Sequence, residues 1–428
     1  MKIRKEKIGA LNIVSTTTKK GIKVNGIYVP EFEPELQAAL GATLSRDPGS
    51  AKDRLKKILS NEKIKKRIMD VYFKKYGHNS VGDMGYLIFS VEGLSMKGAF
   101  YLLENQLFNG QEASTRYLDF SKMGFLPVND KVDKLSQELL GIYKDLKEKL
   151  KKHFMENEGM LEKEAEPRAF DIAGAFLPIS ARTNVFWVGS IRTYISQIRK
   201  LMSQGEEEKE IGEAMELILD KIAPNSVKKV GFDVLEKDLK LEKKILKSVY
   251  DEKTAVAFDS FDLKSFKKIL KNTVKNVPAL GVFGKINFYG SFDFRSARDI
   301  HRHRAFRTNT VVEFKDKGIE EFYLNEIPKE FRNEIKKELK EIVKKAKKLK
   351  NGEYAFPMAV KVPYIMSGDL NSWLYFLYLR SGNKVHPTVI SLVKKIGDRI
   401  EKKLGLKDVY QRNKTDYSIR AGDKNKIK

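Results

Sequence analysis

Arginine is concentrated in one short window of this 428-residue sequence. Five of its 19 arginines and two of its five histidines fall within residues 295–307. They are Arg295, Arg298, His301, Arg302, His303, Arg304 and Arg307. A guanidinium group binds a phosphate or a carboxylate through two parallel hydrogen bonds, so this cluster favours an anionic ligand. We predict an anion-binding site here rather than a basic helix face that is merely paired with Asp293 and Asp299.

A second set of polar residues lies in the first half of the chain. It consists of residues 77–83, Gly-His-Asn-Ser-Val-Gly-Asp, and residues 112–117, Glu-Ala-Ser-Thr-Arg-Tyr. A phosphate needs convergent hydrogen-bond donors. Ser114 and Arg116 could supply them together with Arg302 and Arg304.

The residue types that are missing narrow the chemistry. The chain has no cysteine, which excludes disulfides, a thiolate nucleophile, Cys-ligated zinc and iron–sulfur clusters. It also has no Gly-rich phosphate loop with Lys-Ser/Thr and no metal-ligand cluster, so we expect neither an NTPase nor a metalloenzyme. No uncharged run exceeds the eleven residues from Ile8 to Thr18, which is too short to span a membrane. Because no apolar signal-peptide segment begins the chain, we expect a cytoplasmic protein.

The elements that must position these residues occur in the same order twice, which predicts a tandem duplication. The order is a strand, a helix, an amphipathic helix, an apolar-Pro break, an apolar helix and a closing helix. In the first half these are 86–91, 96–109, 135–154, Leu177-Pro178, 187–201 and 206–222. In the second half they are 282–288, 294–306, 331–349, Phe356-Pro357, 370–380 and 387–404. The Pro224-Asn225-Ser226 turn separates the halves, so we predict α+β domains over 1–225 and 226–428, each a small sheet packed with several helices.

Each half resembles the flavin-dependent thymidylate synthases. That family's signature is Arg-His-Arg, then seven residues, then the serine of a Glu-x-Ser-x-Arg-Tyr stretch, with a His-x-Ser/Thr box upstream. The first half keeps the box and the Glu-x-Ser-x-Arg-Tyr stretch, but Glu104-Asn105-Gln106 replaces Arg-His-Arg. The second half keeps Arg302-His303-Arg304 and the family's late arginine, Arg380, but Val312 replaces the serine. The halves therefore keep complementary parts of one signature.

The resemblance implies C5 methylation of dUMP, with FAD as cofactor and with NADPH and methylene-tetrahydrofolate as co-substrates. It implies catalytic roles for Arg380 and Arg302. The implied substrate-binding residues are Glu112, Ser114, Arg116, Tyr117 and Arg298. The implied cofactor-binding residues are Arg302, His303, Arg304, His78, Ser80 and Arg192. A chain without cysteine cannot add a thiolate to the uracil ring, whereas the flavin route needs an electrophilic donor such as an arginine.

Other interpretations remain open. The net charge of +25 either reflects a lysine-rich solvated surface or attracts a polyanion, so the acceptor could be uracil in a polynucleotide. The divided signature is also compatible with a non-catalytic descendant that binds nucleotides or nucleic acid. Family sites lie between the subunits of a homotetramer, so the resemblance implies a homodimer of tandem chains. The aromatic side chains at 373–378 are expected to be core rather than a base-stacking surface.

Overall fold

The computed structural model describes residues 1–43, 48–61, 63–64, 67, 79–226, 232–253, 255–269 and 277–417. The strands in these ranges are β1 (Arg4–Ile8), β2 (Leu11–Thr17), β3 (Lys23–Tyr28), β4 (Tyr86–Ser95), β5 (Asn109–Glu112), β6 (Arg182–Ser190), β7 (Val256–Asp259), β8 (Lys285–Asp293), β9 (Thr308–Val311) and β10 (Lys361–Asp369). The helices are α1 (Pro34–Thr43), α2 (Ala51–Leu59), α3 (Met96–Leu103), α4 (Asp130–Glu156), α5 (Glu162–Ala173), α6 (Ile191–Met202), α7 (Glu206–Ile222), α8 (Phe232–Val249), α9 (Leu263–Ile269), α10 (Phe294–Ile300), α11 (Glu321–Asn325), α12 (Lys329–Ala346), α13 (Leu370–Leu379) and α14 (Pro387–Leu404). Helices beside antiparallel sheets confirm the predicted α+β class.

The chain divides into two compact units. The first unit contains Met1–Ala113 and Arg182–Glu242, and the second contains Ser114–Ala181 and Lys243–Lys428. These units do not follow a division at residue 225, because part of the first half belongs to the second unit. The predicted duplication is a repeat in the amino-acid sequence and is a different property from these spatial units. Its boundary at residue 225 stays a prediction.

The first unit is built on an antiparallel sheet with the strand order β1-β2-β3-β4-β6-β5. Helix α7 packs on β2 and β3. Its apolar side chains recur every three or four residues, as a helix that buries one face requires. Gly26 permits the close approach, since a Cβ there would lie 2.5 Å from Ile218 Cγ2. This sheet places Glu112 at the end of its edge strand, β5.

The second unit contains an antiparallel sheet with the order β7-β8-β10-β9. The two apolar-Pro breaks lie together in this unit, with Pro178 opposite Pro357 in an antiparallel bridge. Backbone hydrogen bonds join them, from Ile179 N to Phe356 O and from Met358 N to Leu177 O, each 2.9 Å long. The break of the first half is therefore paired with the break of the second half.

The strand-to-helix junctions share one structural feature, a side-chain N-cap. Four strands, β4, β6, β8 and β10, each run directly into a helix. At every junction a side-chain oxygen accepts a hydrogen bond from the backbone N–H three residues later, as an N-cap does. The caps are Ser95, Ser190, Asp293 and Asp369. The order β3-β4-β6-β5 in the first unit also matches β7-β8-β10-β9 in the second.

The predicted elements are partly confirmed. The helices over 206–222 and 387–404 are observed with those bounds, and 86–91 lies in β4. The predicted helix over 187–201 is wrong at its start, because β6 extends to Ser190 and only then does α6 begin. The helix predicted over 294–306 ends at Ile300. Strand β10 and the N-terminal strands β1–β3 were not predicted.

Candidate anion-binding site

The Arg302-His303-Arg304 motif lies in the turn between α10 and β9, not on a helix. Asn309 stabilises this turn, since its Nδ2 donates to the carbonyl oxygens of Ile300 at 2.8 Å and His303 at 3.3 Å. The hydroxyl of Tyr364 on β10 donates to Asn309 Oδ1 at 2.8 Å. Carbonyl groups at the end of a helix need such partners, so Asn309 both ends α10 and fixes the turn to the sheet.

His303 and Arg380 form the centre of the site. Arg380 Nε donates to His303 Nε2 at 2.5 Å, and Arg380 Nη2 donates to the carbonyl of Asp299 at 2.7 Å. The His303 ring is buried and packs edge-on against Phe376, with ring centroids 4.9 Å apart. Burial, followed by the charges of Arg380 and Arg302, lowers the pKa of His303 to about 3. The neutral ring accepts at Nε2 and therefore carries its proton on Nδ1.

Positive charge is concentrated around Arg380. Burial lowers its pKa, Asp299 acts in the opposite direction, and the neighbouring charges of Arg302 and Arg116 lower it further. Arg302 forms an ion pair with Asp299, with Nη2 3.4 Å from Oδ1. Within the described ranges no hydrogen bond uses Arg380 Nη1. Such a group of guanidiniums suits an anionic or electron-rich ligand.

Arg116 comes from the first half of the chain but lies in the second unit. Its backbone N–H donates to Ser114 Oγ at 3.3 Å, and its guanidinium lies 5.5 Å from the centre of the Tyr117 ring. The side chain is 28% exposed, and its Nε lies 3.9 Å from Asp171 Oδ1 on α5. The turn therefore presents a partly exposed guanidinium beside a buried carboxylate.

The remaining predicted site residues differ in burial and in the unit to which they belong. Arg298 is buried on α10 and its Nη1 lies 3.4 Å from Met358 Sδ, whereas Arg304 is exposed. In the first unit, Glu112 Oε1 accepts from Thr183 Oγ1 at 3.4 Å, and exposed Arg192 pairs with Asp83 at 2.8 Å. His78 and the side chain of Ser80 lie outside the described residues.

The Glu104-Asn105-Gln106 segment, which the resemblance aligns with Arg-His-Arg, makes a different set of contacts. There Lys200 pairs with Glu104 at 2.9 Å, and Asn105 Nδ2 donates to Gln197 Oε1 at 3.3 Å. Burial alone would lower the pKa of Lys200, but the charge and hydrogen bond of Glu104, together with the charge of Glu242, outweigh burial and raise this pKa. If the predicted duplication holds, this ion pair stands where the second copy has its group of cationic side chains.

Sequence reasoning missed several residues that complete the site. Asp171 contacts Arg116 and also Arg295, which belongs to the arginine cluster but received no role. A lone aspartate within the apolar stretch 169–176 was the available signal. The expectation that the aromatic side chains at 373–378 are core is correct for Trp373 and Phe376 but wrong for Tyr375 and Tyr378, which are 49% and 63% exposed.

The described residues contain no group of three or more His, Asp or Glu side chains that could hold a metal ion. Among the helices in these ranges, none is long and apolar enough to cross a membrane. The fold and the site together define an α+β protein with a cationic, partly buried site in its second unit.

Two comparisons with known proteins find the same kind of relative. Residues 30–225 match the family model of the thymidylate synthase complementing proteins. The chain is also similar to the flavin-dependent thymidylate synthase of Clostridium tetani (strain Massachusetts / E88). The two are 25% identical over 224 residues, which cover 49% of this chain and 87% of that protein. The resemblance seen in the motifs is thereby confirmed.

The buried histidines predict how stability depends on pH. Burial is the main cause that lowers the pKa of both His301 and His303 to about 3, so between roughly pH 6.5 and 3 the unfolded chain binds more protons than the folded one. Stability should be constant above this window and fall as pH drops through it, by up to about 1.4 kcal/mol per pH unit for each histidine. Urea unfolding at pH 7.5 and 5.0 should show a smaller acid loss for His301→Gln than for the wild type.

Asp293 provides the opposite control. It is buried, which raises its pKa to about 6, and its Oδ2 has no hydrogen-bond partner among the described residues. The contribution of Asp293 to the stability of the folded protein is therefore favourable at low pH and is lost as pH rises from roughly 4 through 6. Asp293→Asn should stabilise the protein at pH 7.5. It should also increase the loss of stability between pH 7.5 and pH 5.0. Equal pH dependence in the wild type and both variants would contradict these assignments.

Proposed function

We propose that this chain is an enzyme of the flavin-dependent thymidylate synthase type. It methylates C5 of dUMP with a one-carbon unit from methylene-tetrahydrofolate, and FAD reduced by NADPH provides the hydride. The observation that carries this proposal is the grouping of Arg116 with Arg302 and Arg380 in one compact unit. The first is a residue of the first half and the others belong to the second half, so the grouping supports a site assembled from complementary motifs.

The phosphate of dUMP is assigned to the turn that carries Ser114 and Arg116. The guanidinium of Arg116 is partly exposed and the turn adds a hydroxyl group, which together suit a phosphate. Tyr117 and Arg298, which lie in the same unit, are proposed as further substrate-binding residues. The substrate-binding role of Glu112 stays a prediction that the resemblance implies.

Arg380 is assigned to the uracil ring. It is held by His303 and by a backbone carbonyl, so it is oriented before the ligand arrives. A fixed guanidinium stabilises negative charge that develops on a ring carbonyl, and such donors act strongly where water is excluded. His303 stays neutral and acts as an acceptor that fixes Arg380.

A cavity of about 640 Å³ in the second unit suits part of FAD. It is bordered by Arg307 and by three glycines, Gly281, Gly284 and Gly368. A Cβ at Gly281 would lie only 3.0 Å from Asp369 Oδ2, so the absence of a side chain keeps this wall open. Arg302, Arg304 and Arg307 would hold the pyrophosphate. The cofactor-binding roles of His78, Ser80 and Arg192 stay predictions that the resemblance implies. The bound, reduced flavin supplies hydride.

The direct test is an assay of the purified chain. We expect a flavin absorption band and, with dUMP, methylene-tetrahydrofolate and NADPH, the appearance of dTMP in mass spectra. In deuterated buffer, label should enter the product methyl group only when flavin is bound. Protein that takes up no FAD and forms no dTMP would contradict the proposal and favour the non-catalytic descendant, for which the Glu104–Lys200 pair is the supporting observation.

A second candidate acceptor is uracil in a polynucleotide. A groove of about 620 Å³ runs along α12, and six lysines line it. These are Lys336, Lys340, Lys344, Lys347, Lys348 and Lys361. Three of them form ion pairs, Lys336 with Glu321, Lys344 with Glu341 and Lys347 with Asp316. The remaining positive charge would attract a phosphate backbone.

The assembly follows from the same proposal. The matching strand orders and cap positions support a tandem duplication, so a homodimer of this chain would imitate the family's tetramer. Each chain would then contribute one cluster of arginines, the cluster around Arg380 in the second half. Location in the cytoplasm stays a prediction.

A further inference from the structure

Asp171 is a buried carboxylate between two guanidinium groups. It is 1% exposed and lies near the end of α5. Arg295 Nη2 donates to its Oδ1 at 3.1 Å, and Arg116 Nε approaches the same oxygen at 3.9 Å. Arg295 also donates from Nη1 to the carbonyl of Phe170 at 3.3 Å. Arg295 therefore hydrogen-bonds to the Asp171 oxygen that Arg116 Nε also approaches.

Gly174 makes room for Arg295. A Cβ at this position would lie 2.4 Å from Arg295 Nη1 and 3.2 Å from its Cζ. The backbone does not need glycine here, because φ is −59° and ψ is −17°, which any residue adopts. The glycine is thus explained by the guanidinium that packs on it.

Because Arg295 and Arg116 both approach Asp171, the contact of Arg295 with this carboxylate affects the position of the Arg116 side chain. A buried carboxylate that lost Arg295 would draw in its second guanidinium to compensate its charge. With Arg295 in place, Arg116 Nε stays 3.9 Å from Asp171 Oδ1 and the Arg116 side chain remains 28% exposed. We propose that Asp171 and Arg295 are positioning residues that hold Arg116 in its anion-binding position. This rests on the proposed function in assigning the nucleotide phosphate to Arg116.

Gly174→Ala tests the proposal without removing a charge, since the added methyl group displaces Arg295. Gly141→Ala is the matched control, because a Cβ there meets nothing within 4 Å. We expect Gly174→Ala to raise the KM for dUMP about tenfold, the loss of one charge-assisted contact, and to leave kcat nearly unchanged. Gly141→Ala should change neither. Asp171→Asn should resemble Gly174→Ala, and Arg295→Lys should recover part of the affinity that Arg295→Ala loses.

A double-mutant cycle shows whether the effect passes through Arg116. In an Arg116→Ala background, Gly174→Ala should cause no further loss of affinity. Additive losses would overturn the proposal, because Arg295 would then act independently of Arg116. An unchanged KM in folded Gly174→Ala protein, with folding checked by its thermal midpoint, would also overturn it.

Inorganic phosphate as a second probe separates this inference from the proposed function. If phosphate binding shows the same coupling of Gly174 to Arg116 while dUMP does not bind, the positioning role stands and the proposed function fails. If both ligands bind but neither shows the coupling, the positioning role fails alone. If neither ligand binds to the wild type, both fail.

Discussion

Arg380→Ala is expected to reduce dTMP formation by about 10²- to 10³-fold while the protein remains folded. This is the usual effect of removing one fixed donor to a developing negative charge. The loss should appear in kcat more than in the KM for dUMP, because the arginine acts on the ring as it reacts. His303 would lose its partner at Nε2 but is neutral, so no uncompensated charge is left behind.

Arg332→Ala is the matched control for this variant. Arg332 also lies in the second unit and also donates to backbone carbonyls, those of Ile327 and Asn325. Arg332→Ala should lose about as much stability as Arg380→Ala loses, but it should keep the turnover of the wild type. Arg380→Lys should recover little, since an ammonium cannot bond to His303 and to Asp299 in the same fork. If Arg380→Ala retains wild-type turnover, the arginine only ends α13 and the catalytic assignment is wrong.

Arg116→Ala is expected to weaken dUMP binding by about 10- to 150-fold. That range corresponds to the roughly 1.5–3 kcal/mol of a hydrogen bond to a charged group. The same change on an exposed lysine of α12 removes only a screened, long-range attraction. Lys340→Ala and Lys348→Ala, both in the groove along α12, are therefore the comparison for titration calorimetry with dUMP.

The same variants distinguish the two acceptors. For a dUMP enzyme, the loss is confined to Arg116→Ala. For a polynucleotide enzyme, a uracil-containing oligonucleotide should bind less tightly to all three variants, and each lysine change should lower the salt dependence by about one charge. If Arg116→Ala leaves both affinities unchanged, the Glu-x-Ser-x-Arg-Tyr stretch has lost its binding role and the non-catalytic interpretation gains.

The sequence by itself determined the chemistry that is available and the regular helices. The absence of cysteine excluded a thiolate route, and the arginine window marked the region that the structure shows as a cationic cluster. Helices α7 and α14 could be predicted with their bounds because their apolar residues recur with the helical period and bury one face. The register of 112–117 and of 302–304 was sufficient to indicate the family.

Strand β6 shows why local pattern fails. Its buried residues alternate with exposed ones, but the exposed positions include Phe186 and Val188, so polarity does not alternate. A run of apolar residues is compatible with a helix or with a strand, and only pairing with β4 decides between them. The early end of α10 has the same origin, since Asn309 and Tyr364 end the helix from outside its own sequence.

Only the tertiary structure decided which residues form the site. His303 and Arg380 are 77 positions apart, and Asp171 and Arg295 are 124 apart, so no local pattern relates them. Sequence assigned Ser114–Ala181 to the first half, but in the folded chain this segment belongs to the compact unit that contains Arg380. The physical reason is that backbone pairing between the two apolar-Pro breaks and the compensation of a buried carboxylate are long-range interactions, and these depend on the fold rather than on neighbours in the chain.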